Sequence, residues 1–75
     1  MKNCVKQLRR NLDISQEALA KVIGVSRQTI ACIEGFKHEP SISIALKIAD
    51  FFGKDPREIF FADDVNYVQQ KQSTA

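Results

Sequence analysis

A chain of 75 residues with 44% hydrophobic and 27% charged content is too short for two cores. Its balance is that of one globular domain, not of a disordered, fibrous or membrane-spanning chain. Eleven Lys and Arg against nine Asp and Glu leave a net charge of +2, too small a surplus to argue for a polyanionic partner unaided. Cys4 and Cys32 have no second pair, which speaks against a disulfide framework or a zinc site, so both are expected as reduced thiols. The opening MKNCVKQLRR has no apolar stretch for a signal peptide, and no run approaches the roughly 20 apolar residues of a membrane span. The expectation is a cytoplasmic or nucleoid-associated protein without metal or cofactor. A domain this small buries only about 60 to 65% of its unfolded surface, so a second subunit would add to its stability.

In chain order, a first helix is expected over about Cys4 to Asn11. Ser15 follows apolar Ile14 and precedes QEAL, which makes it an N-cap with Ile14 and Leu19 at the two positions of a hydrophobic staple. Ser26 repeats the pattern 11 residues later, with Val25 and Ile30 as the staple of the next helix. Between them Gly24 supplies the positive φ that ends one helix and lets the next leave at a sharp angle. Gly35 ends the third helix, and the loop Phe36 to Pro40 closes on Ser41 as the next N-cap. A fourth helix runs from about Ile42 to Phe52 and stops at Gly53. Asp55, Pro56 and Glu58 then give an N-cap, a first-position proline and a capping-box acid for a short fifth helix. Nothing before residue 60 alternates with the period of two of a half-buried strand. The fold class is all-α: a compact bundle of about five short helices over residues 1–61, with a tail at 62–75 whose polar end QQKQSTA reads as disordered.

Leu19, Ala20, Ile23, Val25, Ile30 and Ile33 fall where two consecutive helices cross. Ala20 leaves room for close approach, and Gly24 four residues on makes the tight turn, a pair that specifies a near-perpendicular crossing. On these residues, together with Gln16, Ser26, Glu34, Gly35, Pro40 and Ile48, the stretch from about residue 5 to 61 resembles the helix-turn-helix regulators related to phage repressor and Cro. The resemblance implies a DNA-binding transcriptional regulator whose helix Arg27 to Glu34 enters the major groove while the helix from Gln16 crosses the backbone.

Within that frame side-chain chemistry assigns roles. Gln28 can pair bidentately with adenine N6 and N7. Arg27 can reach a guanine or a phosphate, and Thr29 can offer its methyl to thymine or its hydroxyl to a phosphate. Cys32, one turn on, packs against a thymine methyl or permits close approach; an oxidation switch there has no support in its surroundings. Gln16 and Ser26 sit at helix starts that favour phosphate oxygens, and Lys37 and His38 are expected as backbone clamps. The resemblance further implies a buried ion pair between Arg9 and Glu34.

On a helical wheel Ile42, Ala45, Leu46, Ala49 and Phe52 share one face of the fourth helix. Ile44 and Phe51 project nearly opposite, with Ile48 at the edge. Together with Phe60 and Phe61, Ile44 and Phe51 are expected to form a homodimer interface that presents two recognition helices about 34 Å apart to an inverted repeat. The tail, in which Phe61, Val65 and Tyr67 share strand parity, would fold over this stripe or join the partner. The expected function is a repressor acting on double-stranded DNA; a chain ending so soon after the domain leaves no room for a ligand-sensing module. A protein-bridging module and an antitoxin gripping a protein target through the apolar tail are the alternatives. An enzyme is disfavoured: Asp63 and Asp64 read as a solvated turn, with no nucleophile or metal set beside them.

Overall fold

Ser15, Ser26 and Ser41 each turn a hydroxyl oxygen onto the backbone N–H three residues ahead, accepting from Ala18 at 3.0 Å, Thr29 at 3.1 Å and Ile44 at 3.2 Å. Each bond satisfies one of the donors that a helix start leaves unpaired. Asp55 accepts from the Arg57 N–H at 2.8 Å while Glu58 accepts from the Asp55 N–H at 3.3 Å, a complete capping box. In the computed structural model, which describes residues 1–61, these caps open α2 (Gln16–Ile23), α3 (Arg27–Glu34), α4 (Ile42–Phe52) and α5 (Pro56–Ile59). The preceding helix α1 spans Val5–Asn11. It starts one residue after the expected Cys4, because the Asn3 side chain, not the cysteine, accepts the Val5 N–H, at 3.1 Å.

The Arg57 side chain, and after it the Arg57 backbone N–H, hold the Asp55 carboxyl below its ordinary value of 3.8. A depressed carboxyl pKa contributes stability above the unfolded value and loses it as pH falls through the folded one. The α5 cap therefore weakens only in acid below 3.8, and modestly, since water screens so exposed a pair.

One feature of the backbone is absent from the sequence expectation. Lys2–Asn3 (β1) pairs antiparallel with Phe60–Phe61 (β2), Lys2 opposite Phe61 and Asn3 opposite Phe60. Two-residue strands are too short to show any alternation. Their pairing follows from tertiary anchoring: the Cys4 N–H donates to the Ile59 carbonyl at 3.0 Å, and Asn3 Nδ2 donates to the Ile33 carbonyl at 2.8 Å. The two ends of the described chain are thereby tied to each other and to the end of α3.

Val5, Leu19, Ala20, Ile23, Ile30, Ile33, Ile48, Ala49 and Ile59 form the buried core. α2 and α3 pack against each other most extensively, and α4 closes the bundle against α2 and α5. Gly24 caps α2 with φ +91, a conformation that costs a residue with a Cβ about 1 to 2 kcal/mol. A Cβ there would meet no atom within 4 Å, so the cost of Gly24→Ala is backbone strain alone. Denaturant unfolding should show a loss of about 1 to 2 kcal/mol with an unchanged m-value. A loss much larger than that would mean the turn itself rearranges.

The third helix ends at Glu34 with Gly35 as its C-cap, as expected; Gly35 stays at φ −85 and the left-handed residue is Phe36 at φ 64. The structure corrects the expected phase of α4. On α4 the core row is Ile44, Ile48 and Phe52, flanked by Ala45 and Ala49. Ile44 thus packs against the core and is not the free member of a second stripe. The phase of α4 is set not by the most numerous apolar positions but by the row spaced four residues apart beside two alanines, which let the helix approach closely. Ile42 at 80% and Leu46 at 53% exposure lie on one flank of that row, and Phe51 on the other.

Candidate nucleic-acid interface

α3 divides cleanly into two arcs. Ile30, Ile33 and Glu34 are buried, which leaves Arg27, Gln28, Ala31 and Cys32 on the outward side with the spacing of one helical face. Those four side chains, with Gly35 and Lys37, line one open recess. Arg27 and Gln28 are exposed and Cys32 is half-buried. The recess sits at a helix whose first turn carries no acidic residue, so the partial positive charge of the free N–H groups is not cancelled locally. Among the described residues the ion pairs are Arg9–Glu34 and the exposed Arg57–Asp55, and neither Arg27 nor Lys37 is neutralised by a carboxylate. A face with a guanidinium, an ammonium, a carboxamide and small side chains can approach a polyanion closely while offering both donors and acceptors to base edges.

Behind this face lies a polar network. Glu34 Oε2 accepts from Arg9 Nε at 2.8 Å, and Oε1 accepts from Arg9 Nη2 at 3.2 Å and from Gln16 Nε2 at 3.0 Å. Arg9 Nη1 donates to the Ile14 carbonyl at 2.8 Å. The Glu34 side chain is 3% exposed and that of Arg9 11%, so the two-point ion pair is shielded from water and joins α1 to the end of α3. Gln16 Oε1 in turn accepts from Arg27 Nη1 at 3.3 Å, which carries the network out to the recess.

The candidate residues are not all brought together. Arg27, Gln28, Cys32 and Lys37 share the recess; Thr29, Gln16, Ser26 and His38 do not line it. Thr29 is half-buried, and its hydroxyl pairs with that of Ser26 at 2.9 Å. His38 is exposed in the loop after α3. Ala31 and Gly35 belong to the same face; Ala31 was not singled out from sequence, and Gly35 only as a helix end and a residue of the family pattern. Ala31 is four residues on from Arg27, so helical periodicity could have found it. At Gly35 a Cβ would come within 3.3 Å of the Ala31 carbonyl, a crowding that only the folded turn reveals. The bridging role of Gln16 was also missed. Gln16 and Arg27 both hold the first position of their helices, and the equal offset from Ser15 and Ser26 is the signal that relates them.

Of the other expected interface residues, Phe60 packs against the core, while Phe51 and Phe61 are exposed. They face different recesses: Phe51 lies with Val22, Ile23, Lys47 and Asp50, and Phe61 with Phe36, Lys6 and Arg10. The apolar tail on which the antitoxin and protein-bridging alternatives draw lies outside the described residues, as do Asp63 and Asp64. Among the described residues no helix is long and apolar enough to cross a membrane.

Residues 5–59 match the helix-turn-helix family. An uncharacterised transcriptional regulator of the helix-turn-helix type from Methanocaldococcus jannaschii is 50% identical over 64 residues, 85% of this chain and 97% of that protein. Another from Bacillus subtilis is 42% identical over 66 residues, 88% of this chain and 100% of that one. Among solved structures, the restriction-modification controller protein C.AhdI from Aeromonas hydrophila superimposes with a TM-score of 0.68 at 32% identity, over 75% of this chain and 85% of the controller.

Proposed function

The chain belongs to the helix-turn-helix family of DNA-binding transcriptional regulators, and we propose that it is a repressor that binds an inverted-repeat operator as a homodimer. The observation that carries the reading is the recess of α3, where Arg27, Gln28, Cys32 and Lys37 meet without an opposing carboxylate among the described residues. Residues 1–61 are the DNA-binding unit in this reading. Gln28 reads adenine and Arg27 a guanine, Thr29 and Cys32 take thymine methyls, and Gln16, Ser26, Lys37 and His38 hold phosphates. Gln16 keeps one amide N–H for a phosphate oxygen after giving the other to Glu34.

Hydroxyl-radical footprinting on a bound duplex tests the dimer and the repeat together. The expected pattern is two protected patches about one helical turn apart on one face of the DNA, related by two-fold symmetry. A single patch would contradict the dimer. The exposed aromatics Phe51 and Phe61 are the proposed anchors between protomers. Replacing both with serine should turn a dimer into a folded monomer in sedimentation, with helical circular dichroism unchanged; a retained dimer would assign the contact elsewhere. A reporter promoter carrying the site should lose transcription when the protein is expressed, and increased transcription would reverse the sign of regulation.

A further inference from the structure

We propose that the recess between α1, the loop after α3 and β2 receives an acidic and aromatic segment of a second copy of this chain, Asp63 to Tyr67, so that exchanged tails hold two protomers together. The inference deepens the homodimer reading and rests on it. Three observations carry it: an exposed aromatic ring on a strained backbone, two cations beside it, and the area that a stable dimer needs.

The recess has a volume of about 710 Å³, and Lys6, Arg10, Phe36 and Phe61 stand in its wall. Phe36 is at φ 64, a left-handed conformation that glycine adopts freely and a residue with a Cβ does not. Hydrogen bonds hold it there: its N–H donates to the Ile33 carbonyl at 3.1 Å, and the Lys37 N–H donates to the Cys32 carbonyl at 3.0 Å. The core gives little in return, since Phe36 stays 49% exposed and Phe61 42%. Strain kept at an exposed aromatic suits a binding surface better than a solvated loop. Lys6 and Arg10, four residues apart on one face of α1, are exposed, and neither pairs with a carboxylate among the described residues. The Glu34 carboxylate in the same wall is already held by Arg9 and Gln16. An occupant that fits has acids next to apolar groups. Past Phe61 the chain continues, outside the described residues, into Asp63, Asp64, Val65 and Tyr67, which is that composition.

Area decides between a protomer's own segment and its partner's. Phe51 and Phe61 face different recesses and are 36% and 42% exposed. An aromatic side chain has about 150 to 250 Å² to bury, so the four rings of a dimer offer only about 300 Å². Stable interfaces bury about 1,200 to 2,000 Å². A segment folded onto its own protomer leaves that deficit, whereas two exchanged segments related by a two-fold axis fill both recesses and add their area to the interface twice.

An equal mixture of ¹³C,¹⁵N-labelled and unlabelled whole chain isolates contacts between copies in filtered nuclear Overhauser spectra. Tyr67 is the one tyrosine of the sequence, so its ring signals are unambiguous. The expected result is a contact between Tyr67 and Phe36 that joins a labelled chain to an unlabelled one. A contact confined to single chains would put a protomer's own tail in the recess and overturn the proposal, as would no contact at all; a dimer in sedimentation would leave the homodimer reading standing in both cases. A monomer at every concentration would overturn that reading, and the proposal with it. The charges are tested in the absence of DNA. Lys6→Glu with Arg10→Glu should weaken the dimer by at least about tenfold, and adding Asp63→Lys with Asp64→Lys should restore it. A dimer indifferent to the first pair, or not rescued by the second, would overturn the proposal.

Discussion

Glu34→Ala should destabilise the fold by about 3 to 5 kcal/mol, because it leaves the Arg9 guanidinium buried with its counter-charge removed. Arg9 is 11% exposed and would keep only the Ile14 carbonyl as partner. A chain of 75 residues has roughly 4 to 11 kcal/mol of total stability, so the variant should be partly unfolded at room temperature or melt at least about 12 °C lower. The large number measures a stranded charge and not the worth of the pair, since desolvating two ions offsets most of their attraction. Arg9→Met combined with Glu34→Leu should accordingly be more stable than Glu34→Ala alone. Thermal melts of the three proteins decide it. A Glu34→Ala protein melting within a degree or two of wild type would mean that water reaches Arg9 and that the ion pair does not organise α1 against α3.

Raising salt from about 50 to 200 mM should weaken operator binding by about 150-fold. Arg27 and Lys37 carry no carboxylate partner among the described residues, and two protomers bring about four such charges to the DNA. Each such cation displaces roughly one condensed counterion, whether it meets a phosphate or a guanine edge between phosphates, so four give a slope near −3.6 in log affinity against log salt. Lys37→Ala removes one charge per protomer, which should roughly halve the slope while weakening all sequences alike. Equilibrium titrations at several salt concentrations check both statements. A salt-independent affinity would contradict a backbone-tracking interface, and a slope unmoved by Lys37→Ala would remove that loop from the contact.

Much of this fold was legible because capping chemistry is local. Ser15, Ser26, Ser41 and Asp55 announce their helices by side-chain bonds within three residues, and Gly24 and Gly53 mark ends that need positive φ. What was not legible depends on partners distant in sequence. The β1–β2 pair has no periodicity of its own and rests on Ile33 and Ile59. The phase of α4 is decided by what it packs against, so Ile44, read as a second stripe, became part of the core row. The shared outward face of Arg27 and Gln28 was expected from the resemblance to the phage-repressor regulators, and helical spacing added Cys32 one turn on. Gln16 was assigned from its place at a helix start, which says nothing of the buried acid 18 residues away that orients its amide.

Selection of bound sequences from a random duplex pool at about 150 mM salt, with Gln28→Ala run beside the wild type, tests the central claim most directly. The account predicts an enriched inverted repeat for the wild type and, for the variant, a preference lost at one position of each half-site by a factor of about 5 to 150. No enriched sequence, or an identical profile with Gln28→Ala, would contradict base reading by α3.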